Sequence, residues 1–129
     1  MAATEAAHAK KILVIEDDPV GRTAIRDYLS AHGYDVRVAP DGATGVSMAK
    51  ELSPDLVLCD VLLPLKSGFE VCFELKREPR PAPVMLMSAI LRGEDEQRYG
   101  REGVHADGYL VKPFSMGAML TRIRQLIGQ

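Results

Sequence analysis

The chain has 129 residues, 47% hydrophobic and 26% charged, which fits one globular domain with a real core and leaves little room for a second. A formal net charge of −2 supplies no strong field for gripping nucleic acid or an anionic membrane, and apolar runs such as 12–15 and 56–59 have the length of buried strands, not of membrane spans. The two cysteines, Cys59 and Cys72, are too few and too far apart for a metal cluster or a C-x-x-C pair, so reduced thiols in a cytoplasmic protein are expected.

The opening residues MAATEAAHAK are small and polar and carry no apolar signal-peptide core. Residues 1–9 are therefore expected to be a flexible tail, and 10–129 the folded domain. A β-branched run over 11–15 predicts the first strand, and it ends in acids. Asp18-Pro19 then supplies an N-cap and a proline in the first turn, with Ile25 and Leu29 at helical spacing and Gly33 as the stop. A second strand is expected over 34–38, and Asp41-Gly42 opens a helix running to about Leu52, where Ser53-Pro54 breaks it. A third strand follows over 55–60, a helix over 67–78 and a fourth strand over 83–88. A helix over 94–102, a fifth strand over 108–111 and a last helix over 115–127 complete the chain. The helix over 94–102 is weakly built, since Gly100 in its interior costs about 1 kcal/mol against alanine.

Five strand–helix units predict an α/β fold: a parallel sheet with helices on both faces, whose strands are apolar throughout because both sides are buried. In such open sheets the ligand crevice lies beyond the carboxyl ends of the strands. Four polar features stand there. The first strand runs into Glu16-Asp17-Asp18; helix capping accounts for Asp18 but not for the two acids before it. Adjacent carboxylates repel unless screened, and a hard divalent cation held by one or two carboxylates and several waters suits them. The third strand ends at Asp60, the fourth at Ser88 and the fifth at Lys112. Singly, these are ordinary: a carboxylate entering a loop, a turn serine, a solvated lysine. Together, a nucleophilic carboxylate, a hydroxyl donor and an ammonium are what a transferring phosphoryl group requires.

The segments ILVIEDDP at 12–19, D-x-x-L-P-x-x-S-G at 60–68, PVMLMSA at 83–89 and GYLVKPF at 108–114 resemble, in order and along essentially 11–127, the receiver domains of two-component response regulators, the CheY-like superfamily. The resemblance implies a flavodoxin-like (βα)5 three-layer sandwich with strand order 2-1-3-4-5. It also implies that Asp60 is phosphorylated, with Mg²⁺ (or Mn²⁺) held by Glu16, Asp17, Asp60 and the backbone carbonyl of Leu62. Lys112 would contact the phosphoryl oxygens through a loop containing a cis Lys112–Pro113 bond. Ser88 and Tyr109 would act as the switch pair, altering the surface made by the fourth helix, fifth strand and fifth helix. Glu16 departs from the commoner aspartate.

The implied partners are a sensor histidine kinase or phosphotransfer protein, a downstream target or fused output domain, and a second copy on phosphorylation. Neither direct nucleic-acid binding nor membrane insertion is expected, and the domain is a signalling phosphoacceptor, not an enzyme in the ordinary sense. Leu62 and Ile90, apolar where many such domains are polar, are expected to hinder the water that removes the phosphoryl group. The main alternative is a receiver-like interaction module that is never phosphorylated. A haloacid-dehalogenase-type phosphotransferase would want an acid where Leu62 stands, and a flavin carrier leaves the acids and lysine unexplained.

Overall fold

The computed structural model describes residues 9–89 and 105–128. Five strands, β1 (Lys11–Ile15), β2 (Asp35–Ala39), β3 (Leu56–Asp60), β4 (Val84–Ser88) and β5 (Gly108–Val111), form one parallel sheet in the order β2-β1-β3-β4-β5. The described helices are α1 (Pro19–Ala31), α2 (Gly42–Leu52), α3 (Gly68–Lys76) and α4 (Met116–Ile127). This is the expected α/β architecture and strand order. The helix expected over 94–102, with its Gly100, lies outside the described residues, as does Ile90.

Each helix starts on a short polar side chain that satisfies a backbone donor otherwise left without a partner. Asp18 accepts from Gly21 N (3.1 Å), Asp41 from Thr44 N (2.7 Å), Ser67 from Glu70 N (3.2 Å) and Ser115 from Ala118 N (3.0 Å). Three described helix ends have positive φ: Gly33 (φ 93°) follows α1, Ser53 (φ 49°) caps α2 and Gly128 (φ 75°) caps α4. Helix α3 stops at Lys76, two residues short of the 67–78 expectation, with Arg77 as its cap. Pro79 and Pro81 follow, and the residue before a proline is pushed out of helical backbone.

Alternation along the strands divides the core into two layers. Leu13, Ile15, Val57, Cys59 and Leu86 pack with Val46 and Ala49 of α2 and with Val71, Cys72 and Leu75 of α3. On the opposite face Ile12, Val14, Leu56, Leu58, Met85 and Met87 pack with Ile25 and Leu29 of α1 and with Met119, Leu120 and Ile123 of α4. Burial on both sides explains why these strands have no polar face.

The backbone ladder runs one residue past the strand tips. Glu16 N donates to Ala39 O (3.1 Å), Val61 N to Met87 O (2.9 Å) and Lys112 N to Ser88 O (3.1 Å). The residues at one edge of the sheet are thus held by main chain rather than left on free loops. A glycine completes this edge. A Cβ on Gly68 would sit 2.2 Å from the Asp60 carbonyl oxygen and 2.7 Å from Val61 Cα, so only glycine lets α3 start against the end of β3.

Gly68→Ala is expected to lower stability by about 1–3 kcal/mol through forced backbone displacement. Gly117→Ala, where an added Cβ meets nothing within 4 Å, is expected to change it little. Urea unfolding of both variants checks the contrast, and equal stabilities would contradict the close approach at Gly68.

Candidate functional site

Lys112 Nζ donates to Glu16 Oε1 and to Asp60 Oδ2, each at 3.0 Å. These partners stand 96 and 52 residues away in sequence and meet because β1, β3 and β5 end at the same edge. Glu16 and Asp60 are only 2% and 6% exposed, whereas Asp17 faces solvent. One carboxylate oxygen from each of Glu16, Asp17 and Asp60 can be chosen so that all three lie within 4.8 Å of one another. The remaining oxygens are steadied by backbone donors: Asp18 N reaches Glu16 Oε2 at 3.3 Å, and Leu62 N reaches Asp60 Oδ1 at 3.4 Å.

The electrostatics follow from crowding and burial. Burial pushes the Glu16 carboxyl up to about 7; the Lys112 ammonium pulls it down, and Asp60 pushes it further up. For Lys112, burial acts downward, but its bonds to Glu16 and Asp60 outweigh it and hold the ammonium above the ordinary lysine value. Among the described residues, the site is therefore one partly exposed ammonium facing two buried carboxylates and an exposed third.

Of the residues singled out in the sequence, Glu16, Asp17, Asp60 and Lys112 come together. Ser88 ends β4 beside them, 1% exposed and paired in register with Val111. Tyr109 pairs with Leu86, two residues before β5 ends, and is half-buried against the α2–α3 layer. Leu62 is 61% exposed on the loop after β3. The Lys112–Pro113 bond is cis, as expected. Asp18 serves as the α1 cap. Cys59 and Cys72 lie in the core, where burial holds the Cys59 thiol well above its ordinary range and pushes the Cys72 thiol up to about 11. Both are consequently thiols rather than reactive thiolates.

One residue escaped the sequence reading. Arg22 Nη1 donates to the main-chain oxygen of Glu16 at 3.0 Å and lies 3.4 Å from that of Asp17. The available signal was its place near the start of α1, where the helix dipole disfavours a cation.

The response regulator receiver domain, as a family, matches residues 12–124. The chain belongs to this family. It is 40% identical over 119 residues to the DNA-binding dual master transcriptional regulator RpaA of Synechocystis, covering 91% of this chain and 48% of that protein. It is 35% identical over 117 residues to the response regulator MprA of Mycobacterium avium, covering 91% and 50%. The chain thus spans about half the length of the curated relatives it matches.

Among solved structures, the chemotaxis response regulator CheY4 of Vibrio cholerae superposes with a TM-score of 0.84 at 27% identity, over 92% of this chain and 98% of that one. The BeF3-activated N-terminal receiver domain of Klebsiella pneumoniae RstA gives 0.82 at 32%, over 93% and 100%. The receiver domain of the Pseudomonas aeruginosa sensor histidine kinase PA1611, solved with a magnesium ion in its active-site cleft, gives 0.80 at 29%, over 94% and 99%.

Removing the Lys112 ammonium from this receiver domain should destabilise it in a pH-dependent way. Glu16 has a folded pKa above its unfolded value, so it binds its proton more tightly when folded and costs stability as pH rises from about 4.5 through about 7. Lys112→Met deletes the group that pulls that pKa down, enlarging the cost. Urea unfolding in EDTA should show a larger deficit against wild type at pH 8 than at pH 5.5; a deficit independent of pH would contradict it.

Proposed function

We propose that this receiver domain accepts a phosphoryl group onto Asp60 from the phosphohistidine of a sensor histidine kinase or phosphotransfer protein, in a Mg²⁺-dependent reaction. The observation that carries this reading is the buried Asp60 carboxylate held at 3.0 Å by Lys112 and crowded by Glu16 and Asp17. The donor set fits a hard cation, since it consists of carboxylate oxygens without histidine or cysteine. Glu16, Asp17, Asp60 and the Leu62 carbonyl would hold Mg²⁺, with Mn²⁺ as a substitute. When bound, the ion offsets charge on the phosphoryl oxygens during in-line displacement.

The chain's own groups divide the remaining work. An Asp60 carboxylate oxygen attacks phosphorus, the P–N bond breaks, and its electron pair returns to the donor imidazole, which is reprotonated. Lys112 starts bonded to Asp60 and Glu16 and is positioned to turn toward the incoming oxygens. A cleft of about 460 Å³ beside it is lined by Glu16, Gly21, Ile25, Lys112, Phe114 and Met116.

Ser88 then donates to the acquired phosphoryl group, and Tyr109 moves with it, shifting the population between two packings around β5. That surface would address an output domain, a separate target or a second copy in the cytoplasm. The match of this chain to half of two longer regulators supports an output of that kind.

Incubation with Mg²⁺ and acetyl phosphate is expected to add one phosphate by intact mass, and Asp60→Asn or EDTA to abolish the gain. A wild-type chain that stays unmodified under every small-molecule donor would instead mark an interaction module that is not phosphorylated. Exposed and apolar beside Asp60, Leu62 should impede the hydrolytic water, so Leu62→Asn is expected to shorten the phosphorylated lifetime severalfold. Phosphate-release kinetics check this, and an unchanged rate removes the role.

A further inference from the structure

Arg22 contributes a cation to a place where electrostatics alone would not put one. It lies near the N-terminus of α1, against the helix dipole, and beside carboxylates that are to attract a divalent ion. Its guanidinium nevertheless turns back to the end of β1. One nitrogen, Nη1, lies 3.0 Å from the Glu16 carbonyl oxygen and 3.4 Å from that of Asp17.

The same stretch is tied elsewhere. Glu16 N donates to Ala39 O, Asp18 N donates to Glu16 Oε2, and Arg22 N donates to Asp18 O. The two carbonyls reached by Arg22 belong to the residues whose side chains must converge with Asp60. A peptide free to rotate at Glu16 or Asp17 would swing a carboxylate out of the 4.8 Å group. The carbonyls, unlike the carboxylates, can accept a guanidinium without surrendering a metal-binding oxygen.

We propose that Arg22 is a positioning residue for the cation site: it pins the main-chain carbonyls of Glu16 and Asp17 so that their carboxylates meet Asp60. This rests on the Mg²⁺ reading above. Its sign is diagnostic. If Arg22 mattered only as a nearby positive charge, deleting it would tighten cation binding; if it orients the acids, deleting it weakens binding although a repelling charge has gone. Groups that orient metal ligands are typically worth about 10–100-fold in affinity, and a partly buried tie to main-chain oxygens belongs at the lower end.

The test is Mn²⁺ titration, followed by paramagnetic resonance and competed with Mg²⁺, on wild type, Arg22→Gln, Arg22→Ala and Arg22→Lys, with thermal unfolding in EDTA in parallel. Gln and Ala are expected to weaken Mn²⁺ binding about tenfold. Lys keeps a donor and the charge and should fall between these and wild type. Raising Mg²⁺ should restore acetyl-phosphate labelling of Arg22→Gln. Unchanged or tighter Mn²⁺ binding in the folded Gln and Lys variants overturns the proposal, as does a fall in melting temperature with wild-type affinity, which would make Arg22 a loop tie only. Should wild type itself bind no Mn²⁺ that Mg²⁺ displaces, the metal reading fails first and the role of Arg22 with it.

Discussion

The crowding of three carboxylates at one edge of the sheet, answered by a single ammonium, is the constraint on which the rest of this domain depends. Glu16 and Asp60 are almost wholly buried and share Lys112 at 3.0 Å. Taking such charges out of water costs several kcal/mol per ion unless partners replace the lost solvent. Burial, with the neighbouring Asp60 adding to it, pushes the Glu16 carboxyl up to about 7 even though Lys112 pulls it down. An arrangement that burial and mutual repulsion both penalise is poorly explained as a structural ion pair. It accords with the function proposed above, in which this place takes up added positive charge and a transferable anion.

Everything around the site works to hold it in that unfavourable state. The sheet ladder continues through Glu16, Val61 and Lys112, fixing the backbone at the tips of the strands. Four capped helix starts brace the loops that follow, and Gly68 lets α3 begin within van der Waals reach of the Asp60 carbonyl. The two apolar layers, one beneath α2 and α3 and the other beneath α1 and α4, supply the stability that this edge spends. Ser88 and Tyr109, the switch pair of the proposed function, belong to the paired strands β4 and β5 that lead into the Lys112 loop, so the proposed change of state would be confined to this edge.

Much of this was legible in the amino-acid order, for a local reason. Strand and helix periodicity, Asp18-Pro19 and Asp41-Gly42 at helix starts, and Gly33 at a helix end are decided within a turn or two of chain, so pattern reveals them. The placement of Asp60 and Lys112 at the ends of apolar runs is equally local, and it was enough to suggest that they meet. The short end of α3 was missed because two prolines beyond it outweigh a helix-compatible 77–78.

What only the tertiary structure decided concerns contacts between distant segments. That Lys112 touches Glu16 and Asp60 rather than solvent, that Asp17 stays exposed while Glu16 is buried, and that Gly68 must be glycine depend on how β1, β3, β5 and α3 pack. Arg22 is the plainest case: its partners are main-chain oxygens, which every residue carries, so no side-chain pattern announces them. Sequence determined which chemical groups stand at the strand tips, because alternation and turns are short-range. Distances, burial and the resulting charge imbalance arose only on folding, because they are properties of groups brought together across up to 96 residues of chain.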